Sequence, residues 1–146
     1  MIASLWDKCW GGIVLLIAVT AMAIGLCAED VPLWVMKGIA AVETSSDYRG
    51  PGDVRGKILR GKIGEVGPWQ LSPSVLRDLD AYDQRVAIHA DAALAEAFTR
   101  AWLTRLRSKT GSWHEAIAAY HAGMGKRSHP FAIMYADRVC NLRNIL

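Results

Sequence analysis

Trp113-His114-Glu115-Ala116-Ile117-Ala118-Ala119-Tyr120-His121-Ala122-Gly123 is the stretch from which the fold class is read. Ser112 and Glu115 stand three apart ahead of an apolar run, the capping-box signature of a helix start, and Gly123 supplies the stop. Within it Trp113, Ile117 and Tyr120 fall on one helical face. Helical spacing continues on both sides. A last helix starts near Pro130 and carries Phe131, Tyr135, Val139 and Leu142 on one face. Upstream, Gly111 stops the longest helix, from about Asp83 to Ser108. Along it Val86, Ala90, Ala93, Leu94, Ala97, Phe98, Ala101, Trp102 and Leu106 form one apolar stripe. Ser72-Pro73 opens a short helix through about Leu79. Asp30 is read as the cap of another, with Val31 and Pro32 in its first turn, Val35, Ile39 and Val42 facing inward and its end near Glu43.

Residues 45 to 67 break the pattern. They hold six glycines, one proline and five Lys/Arg without a sustained period. The segment reads as a long loop with a short β-hairpin around Ile63 to Leu71. A loop that long in a compact domain is more often functional than idle. The expected class is therefore α+β, predominantly α, with a small hairpin element.

The 146 residues suffice for one domain with a sizeable core, and no repeat or second domain is visible. Hydrophobic content is 52%, with the excess near the N-terminus. From Cys9 to Ala28 no residue is charged; Lys8 precedes the stretch and Glu29-Asp30 follow it. That layout reads as an export signal, cleaved after Ala23 or Ala28, or as an uncleaved inner-membrane anchor. The domain plan is residues 1–28 as signal or anchor and 29–146 as one folded unit, exported to the periplasm or cell envelope.

A net charge of +3 suits a polyanionic partner and equally none in particular. No Arg/Lys stripe with interleaved aromatics speaks for nucleic acid. Cys9, Cys27 and Cys140 lack metal-ligand spacing, and Cys140 reads as a buried free thiol in a helix. His89, His114, His121 and His129 have no coherent zinc spacing, and no phosphate-loop pattern occurs. No metal or cofactor is implied.

The chemistry-bearing candidates begin with Glu43. A carboxyl group that must donate a proton near neutral pH needs a raised pKa. Desolvation and the negative end of a helix dipole both disfavour its charge. On position alone, a solvated surface glutamate is the commoner case. In Gly64-Glu65-Val66-Gly67-Pro68-Trp69-Gln70, two glycines allow close backbone approach to a ligand. Trp69 offers an apolar face to a sugar ring or to the core, and Gln70 can donate and accept at once. Tyr120 could bond to Glu43 or a sugar, or pack in the core with its hydroxyl satisfied.

The order of these segments resembles the lytic transglycosylases of the goose-type lysozyme-like superfamily. In that family a catalytic Glu is followed by a Gly-Leu-Met-Gln-like stretch, then Ala-Tyr-Asn-x-Gly, then Tyr-Ala-x-x-Val. Here the counterparts are Glu43, Gly67-Pro68-Trp69-Gln70, Ala119-Tyr120-His121-Ala122-Gly123 and Tyr135-Ala136-Asp137-Arg138-Val139. Thr44 stands where Ser is usual, His121 where Asn is typical, and the Gly/Arg-rich insert at 49–62 is longer than in the compact family form. The resemblance covers roughly residues 33 to 142 and implies a lysozyme-like fold. It implies Glu43 as catalytic acid/base, Gln70 as a substrate contact and Tyr120 as a support for the acid. Trp69, Ser45, Glu65 and His121 complete the candidate substrate-binding set. The implied partner is the glycan strand of peptidoglycan, cut between N-acetylmuramic acid and N-acetylglucosamine. Two alternatives stand beside it. One is a hydrolytic muramidase using Glu65 or Asp47 as a second carboxylate. The other is a non-catalytic wall-binding subunit of secretion or conjugation machinery.

Overall fold

The computed structural model describes residues 30–50 and 61–145. The export signal or anchor read at 1–28, and most of the 49–62 insert, lie outside the described residues. Among those described, about 70% are helical and no strand occurs. The chain is predominantly α. The hairpin expected around Ile63 to Leu71 is reduced to a single antiparallel bridge, in which Val66 and Leu71 exchange both backbone hydrogen bonds at 3.0 Å. Gly67-Pro68-Trp69-Gln70 turns the chain between them, and both flanks leave at once for other partners, so no ladder extends.

Among the described residues there are six α-helices: α1 Leu33–Thr44, α2 Pro73–Asp78, α3 Arg85–Ala90, α4 Ala92–Thr110, α5 Trp113–Ala122 and α6 Pro130–Asn141. The punctuation follows local chemistry. Ser72 caps α2 by accepting from the Val75 N–H, and Ser112 caps α5 by accepting from the Glu115 N–H. Gly111 ends α4 in the left-handed conformation at φ 81°. Two boundaries differ from the sequence reading. Pro32, not Asp30, takes the N-cap position of α1, and the Asp30 side chain is fully exposed near Arg100. The long helix read from Asp83 to Ser108 is broken at Asp91, which turns extended and accepts from the N–H groups of Ala93 and Leu94. An aspartate that caps the next helix interrupts the one before it.

The stripe along α4 is rotated from its expected position. Ala95, Glu96, Thr99, Trp102, Leu103 and Leu106 face inward, while Ala93 and Ala97, and Val86 on the separate α3, are exposed. The buried Glu96 explains the rotation. Its Oε1 accepts from the Tyr48 hydroxyl at 2.6 Å and from Arg100 Nε at 2.9 Å. Arg100 also donates to the Tyr48 oxygen and to the Val31 carbonyl. Burial opposes the guanidinium charge, but the bonds to Glu96 and Tyr48 more than offset it and hold the Arg100 pKa above its ordinary value. Burial and then Glu96 push the Tyr48 hydroxyl upward as well. A polar residue sits inside because its partners come with it.

The core joins α1, α5 and α6 with the Val66–Leu76 segment. α6 packs on both α5 and α1. At the second contact Gly38 is the close-approach residue: a Cβ there would lie 2.7 Å from Val139 Cγ1 and 3.0 Å from the Val139 carbonyl oxygen. One consequence is testable. Gly38→Ala should cost about 1–2 kcal/mol, the overpacking penalty less the gain in helix propensity. Chemical denaturation of wild type and variant measures it.

Candidate active site

Glu43 lies one residue before the end of α1, where Ser45 takes the left-handed C-cap conformation at φ 55°. The turn that carries Gln70 is fastened against this helix end. Thr44 Oγ1 donates to the Pro68 carbonyl at 3.1 Å while also lying 3.1 Å from the Ala40 carbonyl. Trp69 Nε1 donates to the Met36 carbonyl at 3.0 Å. The Tyr120 hydroxyl donates to the Trp69 carbonyl. Tyr48 meets the indole edge to face, with ring centroids 5.0 Å apart. Three hydrogen bonds thus join the Pro68–Trp69 step to α1 and α5. Gln70 at the turn's end is held at φ 50°, with its side-chain amide donating to the Gly67 carbonyl. A non-glycine residue in that region stores about 1–3 kcal/mol of strain, a feature concentrated at functional sites.

A cleft of about 290 Å³ opens at this point, lined by Glu43, Glu65, Gln70, Tyr120 and His121 among others. Five of the seven residues singled out from the sequence therefore share one cavity. Glu65 approaches from the bridge segment, and its Oε2 accepts from the Ile63 N–H at 3.1 Å. Gly61 makes room for it: a Cβ there would lie within 2.9 Å of both the Glu65 side chain and the Gln70 side-chain oxygen. The other two residues do not line the cleft. Trp69 is 1% exposed and takes the core option. Ser45 is exposed at the helix cap. Asp47, weighed as a second carboxylate, pairs with Arg49 at 2.9 Å on the surface.

The tyrosine that reaches Glu43 is Tyr135. Its hydroxyl donates to Glu43 Oε1 at 2.7 Å. Tyr120, expected as the support of the acid, instead anchors the Trp69 backbone. Burial first, and Glu43 second, push the Tyr135 hydroxyl well above the usual phenol range, so it stays a proton donor. Burial and Glu43 likewise raise Tyr120. The imidazole of His121 stacks on the Tyr135 ring, centroids 4.2 Å apart and planes 10° from parallel. The close approach of Gly38 to Val139 explains the pairing. It sets α6 against α1, and Tyr135 lies one turn from Val139, as Glu43 lies just over one turn from Gly38.

Tyr135 and Thr44 are the site residues that sequence reasoning undervalued. Tyr135 carries a signal, since it opens the Tyr-Ala-x-x-Val segment, but helical spacing cannot tell which of two tyrosines meets the acid. Tyr135→Phe should lower turnover about tenfold, the worth of a hydrogen bond to a charged group, through loss of carboxylate orientation. Its melting temperature should stay near wild type, because water can replace the hydroxyl at half-buried Glu43. Turnover per folded molecule, read beside thermal unfolding, separates the two effects.

Among the described residues no group of three or more His, Cys, Asp or Glu side chains could hold a metal ion, and no helix is long and apolar enough to cross a membrane. Cys140 is a free, half-buried thiol whose pKa burial raises. No family model, curated protein or solved structure matches this chain.

Proposed function

We propose that the chain is a peptidoglycan lytic transglycosylase with a lysozyme-like fold. In this reading it acts outside the inner membrane on the β-1,4 bond between N-acetylmuramic acid and N-acetylglucosamine. The observation that carries the reading is the convergence of Glu43 and Gln70 in one cleft, with the Glu43 carboxylate bonded to a buried tyrosine. One carboxyl group and one side-chain amide on the same cleft support single-acid glycan cleavage.

The chemistry needs one carboxyl group used twice. Protonated Glu43 gives its proton to the glycosidic oxygen, and the bond from that oxygen to the muramic C1 breaks. The N-acetylglucosamine side leaves with a free 4-hydroxyl. Glu43, now a carboxylate, takes the proton of the muramic 6-hydroxyl, whose oxygen attacks C1 and closes a 1,6-anhydro ring. No water is consumed. Tyr135 serves the second half by donating to the carboxylate and holding it in one orientation. Gln70, strained and fixed at the cleft wall, offers a donor and an acceptor to an N-acetyl group. The substrate's own acetamido oxygen can stabilise the oxocarbenium-like state.

A hydrolytic muramidase is the second reading, favoured by one observation: Glu65 lines the same cleft as Glu43. There it would position a water for attack at C1. Both readings require the full chain to release soluble fragments from purified peptidoglycan sacculi. Intact sacculi after prolonged incubation with folded protein would contradict both.

A further inference from the structure

Phe131 is a large apolar side chain that the core does not explain. It is 71% exposed in the first turn of α6, one turn before Tyr135 on nearly the same face. That places it about 6 Å along the helix axis from the residue that holds Glu43. Its ring is not loose. His129 caps α6, with Nδ1 accepting from the Phe131 N–H at 3.4 Å, and the two rings lie 5.1 Å apart at 31°. His121 lines the cleft and stacks on Tyr135, and the His129–Phe131 pair follows one turn earlier on the helix that carries Tyr135.

The setting also has a charge. No Asp or Glu occurs from Ala116 to Ala136, whereas Lys126 and Arg127 are exposed three and two residues before His129. A flat apolar ring suits the C–H face of a pyranose, and cations beside it suit a strand bearing carboxylates.

We propose that Phe131, backed by His129, is a stacking platform that extends the Glu43 cleft along α6 and takes a pyranose ring of an anionic amino-sugar strand. The inference rests on the glycan reading of the Glu43 cleft. It adds a subsite on which the strand lies beside the bond to be cut. Burial of a phenyl face is worth about tenfold in affinity.

The test uses the full chain in detergent. The Glu43→Gln form is titrated with the β-1,4 hexamer of N-acetylglucosamine, and the active form is assayed on purified wall glycan. Phe131→Ala should weaken hexamer binding about tenfold and raise KM by a similar factor at unchanged melting temperature, while Phe131→Tyr keeps both constants. Unchanged hexamer binding in Phe131→Ala overturns the platform. So does a variant that keeps glycan binding but loses retention on phosphatidylglycerol vesicles, which would give this face to lipid. Phe131-dependent hexamer binding without any cleavage leaves the platform standing and removes the proposed activity. Cleavage indifferent to Phe131→Ala does the reverse.

Discussion

Glu43→Gln is expected to lose about 10²- to 10⁴-fold in glycan cleavage, the range contributed by a positioned general acid–base group. The fold should survive. Glu43 is half-buried, Gln is isosteric, and its side-chain oxygen can still accept from the Tyr135 hydroxyl now 2.7 Å away. What the amide cannot do is carry a proton to the leaving oxygen and take one back. Circular dichroism and thermal unfolding establish that the variant is folded; release of soluble fragments from sacculi then gives the rate. Turnover within threefold of wild type by folded Glu43→Gln would remove Glu43 from the reaction and turn attention to Glu65, the other acid among the described residues that line the cleft.

Trp69→Ala is the largest expected effect on stability, about 3–5 kcal/mol. Trp69 is among the largest fully buried side chains, and it ties three parts of the molecule together. Its indole N–H satisfies the Met36 carbonyl of α1. Its ring makes a T-shaped contact with Tyr48, whose hydroxyl belongs to the Glu96–Arg100 network. Its own carbonyl accepts from Tyr120 on α5. Truncation leaves a cavity and a turn with less to hold it, and Gln70 sits at the end of that turn. Natural domains are stable by about 5–15 kcal/mol, so a loss of this size is a large part of the total. Denaturant titration reads the change. If Trp69 instead served mainly as a sugar platform, Trp69→Ala would keep its unfolding midpoint and lose only substrate affinity.

The helices are legible because their punctuation is local. Ser72, Ser112, Gly111 and Pro130 act on backbone groups within a few residues, so their effect can be read from spacing. The inward face of α4 is not legible in the same way. Apolar spacing points through Ala93 and Ala97, but Glu96 and Thr99 lie inside, because Tyr48 and Arg100 satisfy the carboxylate and Thr99 bonds back to the Ala95 carbonyl. Tertiary partners decide that face. The single bridge at Val66–Leu71 is a further case. The glycines around it speak for a turn, but they do not say how many rungs follow.

The candidate site divides along the same line. Which residues are candidates follows from residue type and order, and five of them, Glu43, Glu65, Gln70, Tyr120 and His121, line one cleft. What each one touches depends on how α1, α5 and α6 are set against each other. Tyr120 and Tyr135 both belong to segments singled out from the sequence. Only the depth of α6 on α1, governed by Gly38 against Val139, gives Tyr135 the acid and leaves Tyr120 the backbone of Trp69. Trp69 itself had two readings, sugar or core, and burial selects the second.

The measurement that bears most directly on the central claim is the mass of the glycan ends produced. Purified sacculi digested with the full chain, and analysed by mass spectrometry without chemical reduction, should yield muropeptides ending in 1,6-anhydromuramic acid, lighter by one water than reducing ends. Glu43→Gln should yield none. Reducing ends in place of anhydro ends would contradict the transglycosylase account and point to hydrolysis, with Glu65 as the carboxylate to test next.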